Sequence, residues 1–263
     1  MKIGMPVLVE LKDIYKCIEA AKEYSLDFIE INMSFPNYQL HSEDWARVRE
    51  IATEKGITFT IHADEQMNPF DFNPMVSSCY FECMKQTIVL AKTIGAGVIN
   101  MHLLKGVYVT LPDRVVLLQS IYIDEYLSRV REFISLCERE IAEENIVISI
   151  ENVDSNLFTD AQLKALELFM DSRVFGLTLD VGHNECLGGG DFHVFEKYRS
   201  KLVHMHLHDS DGKHAHLPLG DGRVDISKRL EILPCDRTCL IEVKTLDGLS
   251  KSLNYLDKMD LRR

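Results

Sequence analysis

Short apolar runs alternate with longer amphipathic stretches along the whole chain, and the alternation occurs eight times. The runs are KIGMPVLV (2–9), DFIEINM (27–33), ITFTIHA (57–63), GVINMHLL (97–104), IVISIENV (146–153), FGLTLDVGH (175–183), LVHMHLHD (202–209) and CLIEVK (239–244). They are rich in Ile and Val and nearly continuously apolar at their starts, the pattern of strands covered on both faces. Segments such as LKDIYKCIEAAKEY, SEDWARVREIATEKG and YIDEYLSRVREFISLCEREIAEEN have helical periodicity. In the second, Ser42 is the expected N-cap and Gly56 the left-handed stop. No Gly/Ser linker divides the chain. Eight strand–helix units in 263 residues predict a single (β/α)8 TIM barrel as one domain over 1–263. An open doubly wound sheet lacks its usual support, because no GxGxxG follows the first strand.

The polar residues that end these runs carry the chemistry. His62, His102, Glu151, Asp180, His183, His206 and Glu242 lie at or near the C-terminal ends of six predicted strands. A barrel gathers all such ends at one face, where the active sites of this fold are built. His and carboxylate together suit Zn, Mn, Fe or Co. One such residue alone is ordinarily a capping or hydrogen-bonded side chain; six strands ending this way predict a shared site. In HMHLHD, His204, His206 and His208 share a strand face by period two, as do Glu242 and Lys244 in IEVK. Lys244 is a candidate for a substrate oxygen or phosphate, and equally a solvent-facing lysine.

Composition narrows the picture. A net charge of -12 offers no long-range attraction to nucleic acid or anionic membrane. The seven cysteines form no CxxC and read as free thiols, Cys79/Cys83 and Cys235/Cys239 included. No apolar run approaches a membrane span, so the expected location is the cytoplasm. Gly188 to Gly190 read as a simple turn or lid hinge, since the tract lacks a P-loop lysine. Trp45, Phe70 and Phe72 are weighed equally as a cover for a sugar ring and as packing residues.

The ordered series IEN (Glu151, Asn152), LDVGH (Asp180, His183), HMHLHD (His206) and HLPLGDG (from His216) resembles the xylose-isomerase-like TIM-barrel superfamily, which holds sugar isomerases and epimerases and the apurinic endonuclease IV family. The resemblance implies a central metal held by Glu151, Asp180, His206 and Glu242. The endonuclease branch would add one ion at His62, His102 and Glu151, and another at His183, His214 and His216, where His214 replaces an aspartate. The implied cofactor is therefore one to three divalent ions per chain: Zn, Mn, Co, Fe or Mg.

Two chemistries follow. The first is isomerisation or epimerisation of a sugar or sugar phosphate through an enediolate, with Glu151 and Glu242 as general base and acid, His183 stabilising developing charge, and Lys244 and His208 binding substrate. The second is a zinc-dependent, endonuclease IV-like phosphodiesterase acting on abasic DNA, favoured by the extra histidines. No concentrated basic run supports a DNA partner, although Lys105, Lys213 and Arg223 are dispersed near the expected mouth, and the segments after His62 (ADEQMNPFDFNP) and His102 (LLKG) do not resemble the endonucleases. A barrel that binds a ligand without catalysis is the third reading.

Overall fold

The structure, a computed structural model, describes residues 1–262. The strands are β1 (Lys2–Pro6), β2 (Phe28–Asn32), β3 (Thr58–His62), β4 (Val98–His102), β5 (Tyr108–Thr110), β6 (Val115–Leu117), β7 (Val147–Glu151), β8 (Phe175–Asp180), β9 (Leu202–Leu207) and β10 (Thr238–Ile241). The helices are α1 (Ile14–Glu23), α2 (Trp45–Glu54), α3 (Pro74–Ile94), α4 (Leu118–Ile121), α5 (Ile123–Ile141), α6 (Asp160–Asp171), α7 (Val181–Cys186), α8 (Phe192–Lys197), α9 (Ile226–Leu230) and α10 (Leu246–Lys258). Eight strands close into a parallel barrel in the order β1-β10-β9-β8-β7-β4-β3-β2, and β5 and β6 form a separate antiparallel hairpin. This is the (β/α)8 barrel that the alternation predicts. Among the described residues no helix is long and apolar enough to cross a membrane.

The strands β2, β3, β7, β8 and β9 put two chemistries on their two faces. Ile29, Ile31, Ile61, Ile148, Ile150, Met205 and Leu207 are fully buried in the core. The alternate positions are polar and bond from strand to strand: the Thr60 hydroxyl donates to Glu30 at 2.9 Å, and the Thr178 hydroxyl donates to Ser149 Oγ at 2.7 Å. The barrel interior therefore carries a hydrogen-bonded polar layer, while burial on both faces of strands such as β8 and β9 is as the apolar runs predict.

Three local expectations are corrected. Most strands stop two or three residues early, because the chain turns into loops or helices while still buried. Thus α7 begins directly after Asp180, and His183 sits on that helix and not on a strand. The N-cap of α2 is Asp44, whose carboxylate accepts from Arg47 N at 3.1 Å, while Ser42 Oγ donates to the carbonyls of Asn37 and Gln39. Trp45 and Phe70 are core residues: the Trp45 indole donates to Gln39 O, and Phe70 packs edge-on to Tyr126 and Phe133 with centroids 5.8 and 5.5 Å away. Phe72 lies edge-on to Tyr122 with centroids 5.8 Å apart, so all three rings make packing contacts.

Candidate metal centre

At the C-terminal mouth, Glu151 ends β7, Asp180 ends β8, His206 lies one residue from the end of β9, and Glu242 follows β10. One ligand atom from each falls within 4.8 Å of all the others. His206 Nδ1 is 3.0 Å from Glu151 Oε1, 3.1 Å from Glu242 Oε2 and 3.8 Å from Asp180 Oδ2. Separations of this size suit ligands sharing one ion at roughly 2.0–2.2 Å. Glu151 Oε1, Glu242 Oε2 and His206 Nδ1 are also buried without a hydrogen-bond partner among the described residues. Buried polar atoms left this way are costly, and a cation would satisfy all three. On those two observations the donor set fits a divalent ion. Burial pushes the Glu151 and Glu242 carboxyls up, but His206 above all, joined by His102 at Glu151 and Lys244 at Glu242, holds both well below the usual carboxylate range.

The neighbours of these residues explain why the motifs read as they do. The Asn152 side chain clasps Asp180 twice, accepting from its N–H and donating to its carbonyl, both at 2.9 Å. Asp180 Oδ1 then caps α7 by accepting from His183 N at 2.6 Å. His208 Nε2 reaches Asp180 Oδ1 at 3.0 Å, while its Nδ1 accepts from His216 N at 2.8 Å. A backbone N–H can only donate, so the proton of His208 sits on Nε2 and points at Asp180. Gly182 of LDVGH is required by this packing, since a Cβ there would lie 2.0 Å from the His208 ring.

On the β3–β4 side, His62 Nε2 and His102 Nε2 lie 3.4 and 3.5 Å from Glu151 Oε2. Each donates its Nδ1–H to a carbonyl, His62 to Ala63 at 2.7 Å and His102 to Glu65 at 3.3 Å, which turns Nε2 inward to face Glu151, where it would have to be deprotonated to hold an ion. Burial lowers the His62 pKa, but Glu151 outweighs it and raises the value to about 9. Asn100 Nδ2 also donates to Glu151 Oε2. On the β8–β9 side, His183, His208 and His216 gather. Here one expectation fails: His214 is not with them. Its side chain is 74% exposed and bonds Asp211 Oδ2 at 2.8 Å, because the loop turns at Asp211 and Gly212 and carries it outward. His208 takes the place expected for it. His216 is held at φ 59, in the left-handed region, and burial drives its pKa down to about 4.

Two adjoining hollows of about 380 and 300 Å³ open above these groups and share His62, Glu65, His216, Glu242 and Lys244 as lining. The acidic residues that line them and are not enclosed in the barrel are Glu65, Asp154 and Glu242, against one lysine, Lys244. The Lys244 ammonium is already bound to Glu242 Oε1 at 2.7 Å. Arg223 is engaged with Glu185 at 2.8 Å. The residue that strand-end reasoning misses is Glu30, in the middle of β2, fully enclosed below His206 and beside His204. Its signal is the polar residue in FIEIN, two positions before Asn32 on the inward face.

A family described as xylose isomerase-like TIM barrel matches residues 18–259. An uncharacterized protein of Methanocaldococcus jannaschii is 27% identical over 271 residues, spanning 97% of this chain and 88% of that protein. Among solved structures, a D-tagatose 3-epimerase-like protein superposes with a TM-score of 0.77 at 24% identity, covering 98% of this chain and 96% of that one. The D-psicose 3-epimerase of Clostridium cellulolyticum H10, solved with D-tagatose, superposes at 0.74 with 15% identity over 100% of both chains. At these identities the two structures speak to fold alone.

Proposed function

This chain belongs to the xylose isomerase-like TIM-barrel family, and we propose that it is a divalent-metal-dependent isomerase or epimerase of a small sugar. The observation that carries the proposal is the placement of Glu151 and Glu242. Glu151 ends β7 and Glu242 follows β10, with β8 and β9 between them, and they present unpartnered oxygens 3.0 and 3.1 Å from His206 Nδ1, Glu242 lining the polar cavity and Glu151 buried beside it. A bound ion would polarise the carbonyl and adjacent hydroxyl oxygens of the sugar and so acidify the C–H on the hydroxyl-bearing carbon. One glutamate would accept that proton and later release it to solvent, while the other, having taken a proton from solvent, would deliver it to the enediolate, at the opposite face for epimerisation. No electron is gained or lost overall. Both carboxyls are held well below the usual range, so each is ionised and able to act as the base.

The remaining residues orient and exclude. His183 Nδ1 lies between Asp180 Oδ2 at 3.3 Å and Asn152 O at 3.4 Å, and the residue lines the cavity, where its ring would hold a sugar hydroxyl. Lys244 would answer a substrate oxygen while staying paired with Glu242. His208 acts through Asp180 and does not itself meet the sugar. The predominantly acidic lining favours a neutral sugar over its phosphate. The same fold carries sugar epimerisation in the D-psicose 3-epimerase of Clostridium cellulolyticum H10, so the barrel is compatible with this class of chemistry.

A second reading, a zinc-dependent phosphodiesterase of the endonuclease IV type, draws on one observation. His62 and His102 aim Nε2 atoms at the outer oxygen of Glu151, an arrangement suited to a second ion. Against it stand the outward His214 and the acidic mouth. The deciding experiment incubates the protein, with Mn, Co, Mg or Zn, with a panel of ketoses and their phosphates and, separately, with an abasic duplex. Interconversion of a free ketose with the duplex intact is the expected result. Strand cleavage without sugar turnover would transfer the assignment to the second reading.

A further inference from the structure

Glu30 lies one layer below the metal centre and belongs to none of the ligand sets that the motifs imply. Its Oε1 is 3.1 Å from His206 Nε2 and its Oε2 is 3.2 Å from His204 Nε2, while the Thr60 hydroxyl donates to Oε2 at 2.9 Å. All three partners are buried. Glu30 is the only carboxylate within 4.0 Å of either imidazole Nε2 among the described residues, and at the present angles neither contact is yet a formed hydrogen bond. On its far side His204 Nδ1 meets Thr238 Oγ1 at 2.6 Å, so a hydroxyl can donate there while the ring proton stays on Nε2.

A neutral imidazole carries one N–H and one lone pair, and a metal takes the lone pair. His206 sits between two sets of carboxylates, Glu151 and Glu242 above and Glu30 below. With a cation among the upper set, the ring must present its lone pair through Nδ1 and its proton through Nε2. Among the described residues the only carboxylate within reach of that proton is Glu30. The opposite tautomer would face a buried carboxylate with a lone pair.

We propose that Glu30 is a positioning residue, which holds the His206 proton on Nε2 so that Nδ1 is available to the central ion. His204 and Thr60 anchor the carboxylate from the side, and Glu30 contacts neither substrate nor ion. The inference rests on the metal-centre part of the proposed function and is independent of which substrate is turned over.

The test uses zinc alone. In the zinc-loaded wild type, ¹⁵N–¹H correlation of the histidine rings should show His206 protonated at Nε2, with a downfield, slowly exchanging N–H, and zinc-shifted at Nδ1. By competition with a chelator, Glu30→Gln should weaken zinc about 10-fold and Glu30→Leu about 100-fold, the usual range for loss of such a support, with the zinc count per chain unchanged. Thermal unfolding of each variant without metal separates lost affinity from lost fold, and the wild-type spectrum needs no variant at all. A His206 proton on Nδ1, variants with wild-type affinity, or a zinc that disappears from the count when Glu30 is replaced would each overturn the proposal. Zinc binding in the wild type with none of these signatures defeats the role of Glu30 alone; no zinc binding at all defeats the metal centre with it.

Discussion

The two flanks of the central site are both built from imidazoles, yet they differ in what each ring does with its second nitrogen. On the β3–β4 flank, His62 and His102 spend Nδ1 on backbone carbonyls and turn Nε2 inward. On the β8–β9 flank, His208 has both nitrogens engaged, one on Asp180 and one on a backbone N–H, and so acts as a brace. Three histidines in proximity are thus not by themselves a metal site. The titrations diverge for the same reason: Glu151 outweighs burial to raise His62 to about 9, whereas burial leads at His216 and lowers it to about 4.

The largest effect should come from the residue that serves both the centre and the first flank. Glu151→Gln, and likewise Glu242→Gln, should lower kcat/KM by roughly 10²–10⁴-fold, the range ascribed to general acid–base groups. A steady-state assay on the sugar that the wild type turns over checks this. Next come variants that set the flanks against each other. His208→Ala releases Asp180 and should weaken the central ion about 10–100-fold without changing the number bound at saturation. His62→Ala should leave the central affinity intact and remove any second ion, so elemental analysis together with chelator competition separates a brace from a ligand.

In the metal-free protein, histidine NMR should find His62 still charged at pH 7.5 and His216 already neutral at pH 6. Because the folded pKa of His62 is raised, its contribution to stability is complete below about pH 6.5 and is lost as pH rises through about 9. His216 has the opposite sign, and its burial becomes a cost as pH falls from about 6.5 towards about 4. A urea-midpoint profile that rises steadily from pH 7 to pH 10 would contradict the His62 assignment. A smaller change is expected from Gly182→Ala, whose methyl group would overlap the His208 ring, at about 1–3 kcal/mol of destabilisation by chemical unfolding. The smallest should be His214→Ala, within about 0.5 kcal/mol and with metal content unchanged, since that ring is 74% exposed on the outside of its loop.

The barrel was legible because each strand is covered on both sides and each apolar run is separated from the next by a helical stretch. The inner polar layer was legible only in part. Period two places His204 beside His206 and Thr178 beside Asp180, and the same rule puts Glu30 beside Asn32. A search confined to strand ends stops one layer above Glu30. Loop direction was not legible at all: the spacing of His214 and His216 is that of neighbours, but the turn at Asp211 and the positive φ of Gly212 and His216 send the two rings apart. His208, just past the end of β9, remains on the face of His206, so period two outlasts the strand itself.

The most direct test of the account is solvent-isotope wash-in on a free ketose in deuterium oxide with a saturating divalent ion. The account predicts deuterium at the carbon beside the carbonyl in substrate or product, abolished by chelation and by Glu151→Gln or Glu242→Gln. A wild-type protein that interconverts ketoses yet retains all substrate hydrogen, or that exchanges equally well in both variants, would contradict it.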